Sequence, residues 1–175
     1  MEERRVGLDS QCFSYLLDVL DERVDLAEDI LEVGRTLVRC WLYRDKYLLT
    51  QKVVDEYRAI RKAERLELHA SFNRVHFFQE PVRNQSRVEA RFLELKPFHS
   101  GLSDCRILAE AEDLGFDVLL TYDKDFCGRL ASRAQGVALM KPADYWASLA
   151  IPRGTQPKSM PTWDNPLSKE TWWRW

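Results

Sequence analysis

The chain lacks most of the features that mark specialised architectures. No run of about 18 apolar residues occurs, so no membrane-spanning helix is expected. Nothing recurs at a fixed period, which excludes collagen, coiled-coil and repeat folds. The four cysteines, Cys12, Cys40, Cys105 and Cys127, are scattered and form no Cys-x-x-Cys pair. A zinc knuckle is therefore not expected, and the thiols read as free, buried groups in a reducing cytosol. The opening Met1-Glu2-Glu3-Arg4-Arg5 runs into a short apolar stretch without a signal-peptide core, so no leader is expected. A large excess of one charge is also missing. The formal net charge is −2, which argues against a uniformly basic nucleic-acid coat.

What is present suits one packed domain with at most a short appendage: 175 residues, 45% hydrophobic and 31% charged. The charge is unevenly spread. Residues 1–34 hold 3 Lys/Arg and 10 Asp/Glu, residues 35–96 hold 14 and 8, and residues 97–175 hold 9 and 10. The basic middle suits either a phosphate-binding face or solvated helix surfaces.

Hydrophobic spacing predicts an alternation of strands and helices. Arg5 to Asp9 reads as a short buried strand. Ser10 suits the N-cap of a helix carrying Phe13, Leu16, Leu17 and Leu20. A second helix is expected from about Leu26 to Leu42, and a strand at Tyr47 to Thr50. Thr50 would cap a helix with Val53, Tyr57 and Ile60 on one face. A charged helix from Arg61 to about Phe72 precedes a possible strand at Val75 to Phe78. Val88 to Leu95 reads as a helix stopped by Pro97. Ser103-Asp104 opens a helix with Ile107, Leu108, Ala111 and Leu114 inward, and Gly115 is a good residue to end it. Asp117 to Thr121 is an apolar run of the kind buried on both faces in a parallel sheet. A short helix from Asp125 to Leu130, a strand from Val137 to Met140 and a helix starting at Pro142 follow. The fold class expected is α/β, a three-layer α/β/α sandwich around a mainly parallel sheet, over residues 1–150.

Residues 151–175 differ in composition. Pro152, Pro157, Pro161 and Pro166 punctuate a tail that holds Trp163, Trp172, Trp173 and Trp175, four of the six tryptophans. Free tails are poor in aromatics, so residues 160–175 are expected to pack on the domain itself, on a second copy or on a partner.

Four acids are positioned to meet. In open parallel sheets, ligands bind beyond the carboxyl ends of the strands. Asp9 ends the first strand, Asp123 follows the Asp117–Thr121 strand, and Asp104 opens the helix leading into it. Glu56 shares the apolar face of Val53 and Ile60, where an unpaired carboxylate is costly and a cation is the natural partner. An all-carboxylate set is hard-oxygen coordination, suited to Mg²⁺ or Mn²⁺ rather than Zn²⁺.

At these residues the sequence resembles the PIN-domain family, the metal-dependent ribonucleases that include VapC-like toxins of toxin–antitoxin pairs. The matching pieces are Val6-Gly7-Leu8-Asp9-Ser10, Thr50 with Val53 and Glu56, Ser103-Asp104 through Ala111, and Leu119-Leu120-Thr121-Tyr122-Asp123-Lys124-Asp125-Phe126. The closing Val137–Met140 and Lys141–Tyr145 also match, so the resemblance spans about residues 5–150. It implies that Asp9, Glu56, Asp104 and Asp123 are the catalytic quartet and hold Mg²⁺ or Mn²⁺, with Asp125 an occasional substitute for Asp123. Thr121 and Ser10 match supporting hydroxyls. It implies hydrolysis of RNA phosphodiesters by water activated at the ion. It further implies a cytoplasmic protein, an antitoxin partner and a homodimer.

Arg58, Arg61 and Lys62 are candidates to hold RNA phosphates or are simply a solvated helix face. His99, five residues before Asp104, is a candidate to help bind RNA or, as a lone histidine more often is, structural. One rival is a PIN-like module that binds RNA or protein without cutting. A second, a phosphatase- or receiver-like domain with a nucleophilic Asp9, lacks the expected Asp-x-Asp pattern.

Overall fold

In the computed structural model, residues 4–21, 25–44 and 46–175 are described. Along the chain lie β1 (Val6–Leu8), α1 (Ser10–Leu20), α2 (Glu28–Tyr43), β2 (Tyr47–Leu49), α3 (Gln51–Arg58), α4 (Ala63–His76) and β3 (Phe78–Gln79). Then come α5 (Gln85–Leu95), α6 (Leu102–Leu114), β4 (Val118–Leu120), α7 (Lys124–Leu130), β5 (Ala138–Met140) and α8 (Pro142–Ser148), with short 3₁₀ turns at Ala131–Arg133 and Pro166–Lys169.

The strands form one sheet in the order β3-β2-β1-β4-β5, and every pairing is parallel. Val6 lies opposite Tyr47 on one side and Val118 on the other, and Leu8 lies opposite Leu120. Val6, Leu8, Tyr47, Leu49, Leu119 and Leu120 are fully buried. That is why these segments read as continuous apolar runs rather than alternating ones. From β1 the chain steps outward to β2 and β3, then crosses back to β4 and β5. Right-handed crossovers therefore put the first two connections on one face and the last two on the other. α1 packs on α2 and α5 on α6, and α8 returns to α2. The result is three layers, α/β/α, with a topological switch point between β1 and β4.

Some local expectations are corrected. Asp9, not Ser10, is the N-cap of α1, its side chain accepting from the Cys12 amide. α2 begins at Glu28 and runs through Tyr43. Ile60 lies beyond the end of α3. Val75 and His76 are helical rather than extended, and β3 is confined to Phe78 and Gln79. The aromatic and β-branched composition there favours a strand, but packing overrides it. Trp41 of α2 contacts the rings of Phe72 and His76 at 6.5 and 5.2 Å, and this holds the last turn of α4 in helical form. Gly115 ends α6 in the left-handed region at φ 70°, as its position suggested.

The tail lies on the domain's own surface. Trp173 is 2% exposed and belongs to the central apolar cluster; its Nε1 donates to the Leu167 carbonyl at 2.7 Å. Trp175 packs edge-on against Trp146 of α8 at 5.3 Å, and its amide donates to the Tyr43 hydroxyl at 2.9 Å. Arg39 of α2 donates twice to the Trp172 carbonyl, at 3.0 and 2.7 Å. The Arg35 guanidinium stands 5.3 Å over the Trp172 ring. Trp163 is the exception, 89% exposed.

Candidate active site

Each predicted acid is placed by the start of a helix or by a helix face at the carboxyl edge of the sheet. The Asp9 amide donates to the Leu120 carbonyl at 3.0 Å, which fastens the end of β1 to β4. Its Oδ1 accepts from the Cys12 amide at 2.6 Å. Asp123 repeats the device on the neighbouring strand. It caps α7, with Oδ1 accepting from the Asp125 and Phe126 amides at 2.7 and 3.0 Å. Thr121, fully buried, links the two: its Oγ1 accepts from the Asp123 amide at 3.1 Å, and its hydroxyl also hydrogen-bonds the Asp9 carboxylate. Asp104 stands in the first turn of α6, where the helix dipole favours an anion. Glu56 projects from α3, whose start is capped by the Thr50 hydroxyl.

Glu56 is half-buried, and its two oxygens accept from the Ser10 and Ser103 hydroxyls, one each. The Lys52 ammonium lies 3.4 Å away, one helical turn back. A cation was expected beside Glu56, and in these contacts the two serines and Lys52 provide its partners. One carboxylate thereby ties α1, α3 and α6 together. Asp104 Oδ2 lies 2.6 Å from His99 Nε2. His99 is 5% exposed, its ring stacked 6.1 Å from Phe126, and its Nδ1 is buried without a partner among the described residues. This hydrogen-bond pattern assigns the ring proton to Nε2, donating to Asp104. Gly101 makes room for the pair: a Cβ there would fall on Asp104 Oδ2 and His99 Nε2.

The electrostatics identify which acids sense one another. Burial lifts the Asp9 carboxyl from 3.8 to about 6 against the pull of hydrogen bonds from Thr121 and Cys12, with the Asp104 charge adding to the rise. Asp104 is also raised, first by burial, with His99 opposing and the charges of Asp123 and Glu56 adding. Asp104 is thus the hub through which all four predicted acids couple. Asp125 stands apart, its side chain 80% exposed and 4.0 Å from Arg129.

Two carboxyls held above their ordinary range among like charges are the environment that a cation relieves. An oxygen-only donor set matches Mg²⁺ or Mn²⁺. Among the described residues no three His, Cys, Asp or Glu side chains are gathered tightly enough to hold an ion as they stand. Glu56 is turned onto its serines and Asp104 onto His99, so binding an ion requires rotation of these side chains.

Sequence reasoning set His99 aside and gave Ser103 and Lys52 no role. Their signal was positional: His99, Gly101 and Ser103 all fall within five residues of Asp104, and Lys52 lies one turn before Glu56. Arg58 and Arg61 are exposed at the end of α3 and just beyond it, while Lys62 pairs with Glu64 at 3.6 Å. No protein-family model and no curated protein matches the chain.

Proposed function

We propose that the protein is a divalent-metal-dependent endoribonuclease of the PIN type, hydrolysing RNA phosphodiester bonds. The observation that carries this reading is the placement of Asp9 and Asp123 as helix caps at the ends of β1 and β4, with Asp104 in the first turn of α6 and Glu56 on α3, at the switch point of a parallel sheet. These four residues would hold Mg²⁺ or Mn²⁺. When bound, the ion supplies water activation and neutralises charge on the phosphoryl group. The chain's own part is orientation. Thr121 and the Cys12 amide would orient Asp9 and His99 would steer Asp104 through Oδ2, while Ser10 and Ser103 hold Glu56 until an ion draws it in. Lys52 places a positive charge at the rim, suited to a substrate phosphate.

The same reading includes a toxin role with an antitoxin partner, a homodimer and a cytoplasmic setting. Cys12, Cys40 and Cys105 are buried and Cys127 is half-buried, in keeping with a reducing compartment. No helix among the described residues is long and apolar enough to cross a membrane.

Cleavage of single-stranded RNA is the test. Activity is expected with Mg²⁺ or Mn²⁺, lost in EDTA and lost in Asp104→Asn. Undiminished cutting in EDTA would overturn the metal mechanism. A second reading, a non-cleaving RNA- or protein-binding module, is favoured by the hydrogen bonds already satisfying Glu56. It predicts that Mg²⁺ leaves the melting temperature unchanged, whereas a metal site raises it and Asp9→Asn removes the rise.

A further inference from the structure

At the amino ends of the strands, on the edge opposite the acids, lies a groove of about 790 Å³. It is bounded by the ends of α2 and α4, by β3 and by the tail. Arg44, Lys46, Arg74 and Lys158 line it, the partly buried Trp41 gives it an aromatic wall, and the buried Phe77 closes its floor. No carboxylate lines it among the described residues. No ion pair with a described residue holds Arg44, Lys46 or Arg74, while the Lys158 ammonium rests 3.3 Å from the Arg44 carbonyl. His76 adds a ring against Trp41, and burial pushes its basicity down, so at neutral pH it contributes surface rather than charge. Trp163 is 89% exposed and stands next to the rim residue Thr162.

Four cations with no matching acid among the described residues, beside an aromatic face, are what an unstructured polyanion with stackable groups needs. Backbone phosphates go to the cations, and bases stack on the rings. A concave, charged groove does not suit a membrane surface, and an acidic peptide would leave the aromatic faces unused. Three of the cations come from the basic middle of the chain, of whose cations only Lys52 stands at the candidate active site.

We propose that this groove is a second RNA contact, taking a single-stranded segment with its phosphates on Arg44, Lys46, Arg74 and Lys158 and its bases against Trp41 and Trp163. The assignment of RNA rests on the ribonuclease reading above. A strand reaching from the groove to the acids passes the β3 edge, where Gln79 Nε2 donates to Gln51 Oε1 at 2.6 Å at the start of α3. β3 is only two residues long, about 7 Å of sheet, so that path is short.

The test is binding, kept apart from cutting. A labelled, 2′-O-methylated oligouridine, which resists hydrolysis, is titrated with the full chain in EDTA at several salt concentrations. Arg44→Glu/Arg74→Glu is expected to bind at least about tenfold more weakly than wild type. The slope of log affinity against log salt should shrink by about 1.4, or 0.7 for each lost phosphate contact. Its melting temperature should be unchanged, since neither side chain is buried. Arg87→Glu/Lys96→Glu, on α5 at the opposite face, should bind as wild type. Equal affinity of the groove variant and wild type overturns the proposal, as does equal weakening in the α5 variant. Polyglutamate should compete at least tenfold less well than the oligouridine; equal competition overturns the assignment to RNA in favour of an acidic protein segment. Cleavage of a dinucleotide, too short to reach the groove, should be equal in wild type and the groove variant. Groove binding without any cleavage supports the groove and counts only against the ribonuclease reading.

Discussion

At the carboxyl edge of the sheet stand four acids from separate stretches of chain, and two of them, Asp9 and Asp104, are held above their ordinary pKa chiefly by burial, with neighbouring charges adding. On the outer side of α2, the tail brings in Trp172, Trp173 and Trp175, and their polar atoms find partners: Trp173 Nε1 on Leu167, Trp175 Nε1 on Ile151, and the Trp172 carbonyl on Arg39. The first region places a buried carboxyl, Asp9, among half-exposed like charges, which opposes folding unless a cation enters. The second buries large rings with their hydrogen bonds satisfied, which favours folding. A chain can hold a strained acidic cleft only if other parts of it supply a surplus of stability. In this protein the docked tail is one such part.

The sharpest way to break the comparison is to remove the hub. Asp104→Asn is expected to lower RNA cleavage by more than about 100-fold, beyond what loss of a merely supporting partner costs. Its melting temperature in EDTA should hold or rise, because a like charge has gone. A fall in stability without loss of cutting would show Asp104 to be structural.

The opposite response is expected in the tail. Trp173→Ala should cost about 3–5 kcal/mol and lower the melting temperature by roughly 10 °C. A dinucleotide-length substrate should still be cut at low temperature. If thermal denaturation of Trp173→Ala matches wild type, the tail does not contribute the stability assigned to it.

Next in size is a pH effect. The folded chain holds the Asp9 proton more tightly than the unfolded chain, since the carboxyl is raised from 3.8 to about 6. The stability from that proton is complete below the unfolded value and is lost as pH rises through the folded one. In EDTA, Asp9 should therefore contribute a fall of up to about 3 kcal/mol as pH rises from about 4 to about 7. Asp9→Asn should remove that part of the slope, and saturating Mg²⁺ should flatten it in wild type. Chemical denaturation across this pH range measures it.

The smallest effect concerns Gly101, whose missing Cβ leaves room for the His99–Asp104 pair. Gly101→Ala displaces the pair and should cost about tenfold in cleavage with a melting temperature within a few degrees of wild type. Its φ of −72° is open to any residue, so strain in the backbone does not confuse the result.

The strands, the helix starts and the acids could be read from the sequence because their causes are local. Apolar runs such as Val118–Leu120 report burial on both faces, Thr50 and Gly115 report helix ends, and an acid after a strand lies at the ligand-binding edge. His99 was not legible. Its nearness to Asp104 in sequence was the one hint, and a lone histidine in a loop does not show that its ring will be buried against Asp104 and Phe126. The helical state of Val75 and His76 likewise depends on Trp41, distant in sequence. For the same reason the short strand expected over Val75–Phe78 shrank to Phe78–Gln79.

By itself, the sequence determined which segments become strands and helices and which acids stand at strand ends, because periodicity, caps and apolar runs act over a few residues. It also pointed to a packed tail, because four tryptophans near the end expose much apolar surface in water, and all but Trp163 are packed. Only the tertiary structure decided that the tail lies on α2 and α8, that Ser10 and Ser103 converge on Glu56, and that Arg44, Arg74 and Lys158 share one groove. Each of these joins residues far apart in the chain, and their proximity follows from the parallel crossovers and the packing of whole helices rather than from any local preference.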